Sequence, residues 1–330
     1  MKRPDKHADA CIHLTLLIVK AAILTMHKRM TRSLGLAILL IATLLGSTAG
    51  SAYAVPETAP QGDALRAQLA AWAKGLAGEP GFGSFAQAVI EVTPLGPGTH
   101  SWLALLREPG KPNVVGYMVV HAVQSGGYQL GEYGLGDYHP FAEQTLRLGL
   151  ARLGLIDRHN KQPLRLERLY PNAMLAAWRI TAPGPGTPAV YYLDAKTGEE
   201  LPADDLAWQE QLRTLEADEA AGTAAPRAAS AFHAAVSTAS GESFDPYERM
   251  PWLTRPPLAH QDAGELAVRL QAGAELRLTF DWFDGGYLHV LPIAAVQSWD
   301  DGASYVAVDQ EGLRFLPYDG LVQPYGSIYD

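Results

Sequence analysis

The chain has 330 residues, 48% of them apolar, with 7 Trp, 14 Tyr and 8 Phe, a formal net charge of −9 and a single cysteine. Length points to about two domains, the apolar and aromatic content excludes wholesale disorder, and an acidic balance excludes a nucleic-acid scaffold. Setting aside residues 1–54 leaves 19 basic against 33 acidic residues, a net charge of −14, and leaves Cys11 behind.

The first 54 residues read as a leader. Lys28, Arg29 and Arg32 precede an apolar stretch from Leu34 to Leu45, and small residues then lead to Ala52-Tyr53-Ala54 ahead of Val55-Pro56. Basic, apolar and A-x-A segments in that order make a secretory signal peptide. They predict cleavage after Ala54 and an exported product, secreted or held in the cell envelope. The apolar stretch is shorter than the roughly 20 residues of a spanning helix. With the Gly, Ser and Ala that follow it just reaches a span, so a membrane anchor at 34–54 is the alternative. Upstream, His13 and Lys20 interrupt the apolar residues 10–26, and a start at Met26 or Met30 is the plainer expectation. A body without cysteine has no disulfides, thiol catalysis or cysteine metal sites.

In the body, Leu65, Leu69, Trp72 and Leu76 recur at helical spacing and predict a helix over 63–77, with Asp63 able to cap its start. The period then changes to two. Ala88, Ile90 and Val92, then Ser101–Arg107, Val114–Val123 and Tyr128–Tyr133 read as strands between Pro- and Gly-rich turns. The same order repeats: Pro140 suits the first helical position, Leu146, Leu150 and Leu153 form a stripe, and strands follow at 164–169, 173–181 and 189–194. The last of these runs into Asp194-Ala195-Lys196-Thr197-Gly198-Glu199.

That ending, over about residues 141–202, resembles the close of PepSY-type domains, with Asp194, Lys196, Thr197, Gly198 and Glu199 forming the matching turn. The resemblance implies a helix packed across a curved antiparallel sheet, as in cystatin-like folds, and an extracytoplasmic module linked to protease propeptides and peptidase regulation. It carries no specific inhibitory residue.

Residues 204–219 predict a further helix, with Trp208, Leu212 and Leu215 on one face and Asp204 or Asp205 at its start. Nine of the sixteen residues 220–235 are Ala, which reads as a linker reaching about Asp245. Beyond it, strands are expected at Leu266/Val268/Leu270, Leu276/Leu278/Phe280, 287–291, 293–299, 305–309 and 313–316, enough for a small barrel or sandwich. The expected fold is therefore α+β: a helix-plus-meander unit at 55–140, a PepSY-like unit at 141–203, a helix and linker at 204–244, and a small all-β domain at 245–330.

The chain lacks the G-x-S-x-G, phosphate-loop and H-E-x-x-H signatures. Its most site-like residues are His100, Trp102, His121, Glu132, Tyr133 and His139. Histidines near a carboxylate suit acid–base work or zinc, and the aromatic rings suit sugar or peptide binding. At strand spacing, however, such rings serve packing, and His121 shares a strand face with Tyr117 and Val119. The leading expectation is an exported, non-catalytic protein that binds a protein or peptide in the envelope, with no cofactor, metal or nucleic acid, and meets the membrane only through an uncleaved 34–54. The alternative is an envelope hydrolase or carbohydrate-binding protein using the 99–139 residues, which predicts that these side chains converge.

Overall fold

The structure is a computed structural model that describes residues 59–96, 99–157, 163–184, 186–223, 228–259 and 262–330. The leader, with Ala52 and Ala54, lies outside the described residues. Among the described residues no helix is long and apolar enough to cross a membrane.

The fold is α+β. Helix α1 (Ala59–Leu76) and a short 3-10 turn (Gly83–Gln87) precede four antiparallel strands, β1 (Val89–Pro94), β2 (Ser101–Arg107), β3 (Val114–Ala122) and β4 (Tyr128–Leu135). Helix α2 (Glu143–Arg152) leads to β5 (Arg165–Leu169), β6 (Ala177–Ala182) and β7 (Ala189–Asp194). Then come α3 (Asp205–Ala220), β8 (Ala235–Ser240), α4 (Ala263–Gln271), β9 (Arg277–Trp282), β10 (Tyr287–Trp299), β11 (Ser304–Asp309), β12 (Leu313–Pro317) and β13 (Gly326–Tyr329).

The strands form two sheets. Strands β5-β6-β7 make a three-stranded antiparallel sheet, and the other ten make one long sheet in the order β1-β2-β3-β4-β12-β11-β10-β9-β13, with β8 also on β10. The junction is β4 with β12, where Arg314 lies opposite Gly134 and Phe315 opposite Tyr133. The C-terminal strands thus extend the first meander instead of closing on themselves as a separate barrel or sandwich, and 59–330 is one compact unit.

Alternation along the strands gives the long sheet two buried faces. One face carries Ala104, Leu106, Met118, Val120, Tyr133 and Phe315, and Leu69, Trp72 and Leu76 of α1 cover it. Leu103, Leu105, Tyr117, Val119, Val306 and Leu316 point the other way, into a core shared with α2, α4 and β5–β7. The small sheet has its own two faces. Phe141 lies edge-on to Trp178 at 5.3 Å, while on the opposite face Tyr192 stacks on Trp208 of α3 at 4.9 Å. The Asp204 carboxylate accepts from the Leu206 and Ala207 amides and caps α3.

Five expectations are corrected. Leu266, Val268 and Leu270 belong to helix α4: Leu266 and Leu270, four apart, are buried, Val268 is exposed, and Asp262 caps the start by accepting from the Glu265 amide. Strand 173–181 starts later, because Asn172 accepts from the Met174 amide and turns Ala173–Leu175 into a 3-10 turn. The helix expected from Pro140 begins at Glu143, since Phe141 has a positive φ and donates its amide to the Ala195 carbonyl. The Ala-rich linker is tied down over its described part. Ser230 and Phe232 reach the sheet, and Phe232 packs 4.2 Å from Trp299 and 5.9 Å from Trp72. The 287–291 and 293–299 strands are one, with a bulge between Ile293 and Ala295 beside Pro292.

Phe232 thereby anchors an otherwise alanine-dominated segment. Phe232→Ala is expected to cost about 3–5 kcal/mol, measured as a lower urea midpoint at unchanged slope. Truncation at 244 strips β12 from β4, and the remaining fragment is expected to lose cooperative thermal unfolding by circular dichroism.

Candidate functional site

Of the six residues expected to share a site, His121 and Glu132 face the same layer, both against Tyr170, while His139 reaches that layer only at the Tyr117 ring, 6.4 Å away, and His100, Trp102 and Tyr133 lie elsewhere. Glu132 and Tyr133 are neighbours on β4 and point to opposite faces of the sheet. Tyr133 stacks on Phe315 at 4.8 Å among Trp299 and Tyr305, and its hydroxyl donates to the Gln297 side chain. His100 is exposed in a turn, with φ 48°. Trp102 is half-buried, edge-on to Tyr128 at 6.1 Å. His139 is half-buried, and its Nδ1 lies 2.9 Å from the Pro140 carbonyl. A carbonyl only accepts, so Nδ1 carries the hydrogen. Burial holds the His139 pKa below its ordinary value.

Glu132 is the centre of a buried polar cluster. It is 0% exposed, and Arg314 is 1% exposed. The Arg314 Nε is 2.5 Å from Glu132 Oε2 and Nη2 is 3.1 Å from Oε1, a bidentate pair. The Tyr170 hydroxyl donates to Oε1 at 2.7 Å and the Tyr117 hydroxyl to Oε2 at 3.2 Å. Arg314 also donates to the Gln310 side chain at 2.8 Å and to the Ala173 carbonyl. Burial raises the Tyr117 and Tyr170 pKa values, and the adjacent Glu132 charge raises them further. Burial opposes the charge on Arg314, yet Glu132 holds its pKa above the ordinary value. Each charged oxygen and nitrogen therefore has partners, the condition under which a buried ion pair is tolerated.

A bulge delivers Glu132 to this position. Val119 faces Glu132 and Val120 faces Leu130, so Gly131 is the extra residue. It flips the alternation, sending Leu130 to the α1 face and Glu132 to the other. A Cβ at Gly131 would stand 2.4 Å from His121 Nε2, and one at Gly134 would stand 2.5 Å from the Tyr117 ring. The glycines of the 128–136 run thus leave room for the rings that cross the strand.

His121 is buried on the same face. Its Nδ1 is 2.7 Å from Ser101 Oγ, which also reaches the Thr99 carbonyl at 3.0 Å, and its ring is 5.7 Å from that of Tyr170. His121 and Tyr170 form part of the wall of a half-open cleft of ≈130 Å³, with Gln129, Asn172, Leu215, Glu219, Leu321 and Tyr325.

The Asp194–Glu199 turn is the second polar anchor. Asp194 Oδ1 accepts from the Lys196 and Thr197 amides at 2.8 and 2.7 Å. Gly198 has φ 69°, and a Cβ there would stand 2.6 Å from the Thr145 carbonyl, so the turn packs directly on α2. Lys196 is buried and donates to the carbonyls of Tyr138 and Glu311. Burial, followed by repulsion from Arg314, lowers its pKa to about 8. His289 Nε2 donates to the Met174 carbonyl at 3.1 Å, and burial keeps this histidine neutral to lower pH despite Asp194 at 4.0 Å.

Among the described residues no trio of His, Cys, Asp or Glu is placed to hold a metal ion. No family model, no curated protein and no solved structure matches the chain. Arg314, His289 and Tyr170 were not singled out from the sequence. For Arg314 and His289 the signal is a lone polar residue at an inward strand position, as in Leu313-Arg314-Phe315-Leu316; Tyr170, just past β5, carries no such signal.

Breaking the pair from either side leaves a buried charge. Glu132→Leu or Arg314→Met is each expected to cost about 3–5 kcal/mol, and the two together less than the sum, read from a double-mutant cycle in urea. The pH dependence follows from Lys196. The unfolded chain keeps its proton to the ordinary pKa of 10.5 and the folded chain releases it at about 8. Stability therefore rises with pH from about 8, until tyrosines ionising in the unfolded chain near pH 10 reverse the slope. Lys196→Met should flatten the rise in urea midpoints between pH 8 and 10.

Proposed function

We propose that the chain is exported and acts as a non-catalytic protein of the envelope or medium, binding a protein or peptide and regulating an extracytoplasmic peptidase. The observation that carries this reading is the fate of Glu132. The carboxylate nearest the expected histidines is fully buried and committed to Arg314, Tyr117 and Tyr170, while Tyr133 faces the opposite layer and His100 faces solvent. The leader's basic, apolar and A-x-A order supports export. Helix α2 followed by β5, β6 and β7, with the Asp194–Glu199 turn closing on α2, supports a PepSY-like unit over 141–202.

One observation favours a hydrolase instead: the Ser101–His121 pair, with His121 on the cleft wall. Against it, Ser101 is 3% exposed and its hydroxyl is shared with the Thr99 carbonyl, where a nucleophile needs access to substrate.

The exported product should begin at Val55 by N-terminal sequencing, and cross-linking in its native host should give a saturable complex with one envelope protein or peptidase whose activity changes. Recovery only with 34–54 attached to membrane would replace secretion by anchoring. Ester, glycoside or peptide turnover that Ser101→Ala abolishes would replace binding by hydrolysis.

A further inference from the structure

We infer that the cleft beside His121 receives the basic side chain, arginine or lysine, of a peptide ligand. This rests on the binding reading above and gives it a ligand class. The cleft of ≈130 Å³ lies below the range of about 300–1,000 Å³ usual for small-molecule sites. It holds the liquid volume of about four waters, a size that suits a single side chain. Tyr170 and Tyr325 supply aromatic surface for a cation, Leu215 and Leu321 supply apolar contact for its methylenes, and no Lys or Arg lines the wall.

The charge at the rim comes from α3. Its last turn carries Asp218 and Glu219 and no basic residue, although the C-terminal end of a helix is already negative and favours cations. Glu219 lines the cleft and has no ion-pair partner among the described residues. Burial and then the field of Asp218 and Glu219 raise the Tyr325 pKa, which places both carboxylates within electrostatic reach of that ring. Two carboxylates that work against their own helix, beside aromatic and apolar walls, are what an incoming ammonium or guanidinium requires.

The exported protein, labelled with 13C-tyrosine, can be titrated with acetyl-Ala-Arg-Ala-amide. Saturable movement of the Tyr325 resonances is expected, and the same tripeptide with citrulline should bind at least about tenfold more weakly. Asp218→Asn with Glu219→Gln should weaken the arginine peptide by a similar factor while raising Tm, because it removes charges that oppose the helix dipole; a merely structural role would lower Tm. Equal affinity for citrulline, unchanged affinity in the double variant, or no saturable shift at millimolar peptide would each overturn the inference. If the double variant still forms the cross-linked complex of the previous section, only the cleft assignment is lost. If the unaltered protein forms no complex, the binding reading itself is lost.

Discussion

The Glu132–Arg314 pair is the constraint around which the chain closes. It joins β4 to β12, two strands 182 residues apart in sequence, and takes in the connection between β5 and β6 through the Tyr170 hydroxyl and the Ala173 carbonyl. Bringing two charges out of water is expensive, and their attraction compensates only when geometry and extra hydrogen bonds are nearly complete. Here the carboxylate has Arg314 and two tyrosine hydroxyls, and the guanidinium has Glu132, Gln310 and a backbone carbonyl. None of the three segments satisfies that set alone. Docking of β5–β7 and pairing of the first meander with the C-terminal strands are therefore coupled through one site.

The rest of the interior follows from it. A carboxylate at position 132 has to face the small sheet, while Leu130 and Tyr133 have to face α1, and a regular strand would put 130 and 132 on the same side. The bulge at Gly131 resolves that conflict, and the absence of a side chain there lets the His121 ring lie across the strand. Lys196 does a related job at the same end of the small sheet, tying the Asp194 turn to the carbonyls of Tyr138 and Glu311. Polar contacts with fixed partners specify one register and one docking geometry more narrowly than apolar contact does, and here they determine which strand meets which loop.

Local physics was legible in the residues, and long-range pairing was not. The period-two stretches at β2, β3, β9 and β11, the apolar stripe of α1 and the Asp204 cap of α3 each depend on neighbours a few positions away. Over three points Leu266, Val268 and Leu270 fit a strand as well as a helix, and the Asp262 cap is the signal that decides for α4. That β12 pairs with β4 depends on Arg314 finding Glu132, and no local period reports it. The small sheet's docking depends in the same way on Tyr170. His100, His121, Glu132 and His139 are close along the meander, but only His121 and Glu132 come to share a neighbour, Tyr170, and each is held there by its own partners, Ser101 and Arg314.

With the interior carboxylate, guanidinium and lysine all engaged, the proposed recognition falls to the rim. Residues 55–330 carry a net charge of −14, which attracts cationic partners at long range and speeds their encounter, though it does not place them. Placement needs a local feature of the same sign with a shape. The end of α3 supplies it: Asp218 and Glu219 add their charge to the negative end of the helix, next to a cleft whose back wall is His121 and Tyr170. Tyr170 also donates to Glu132, so the hydrogen bond that holds the two sheets together also fixes one aromatic wall of that cleft. A ligand seated there would rest on a wall already held in place by that hydrogen bond, and ordering that wall on binding would cost little.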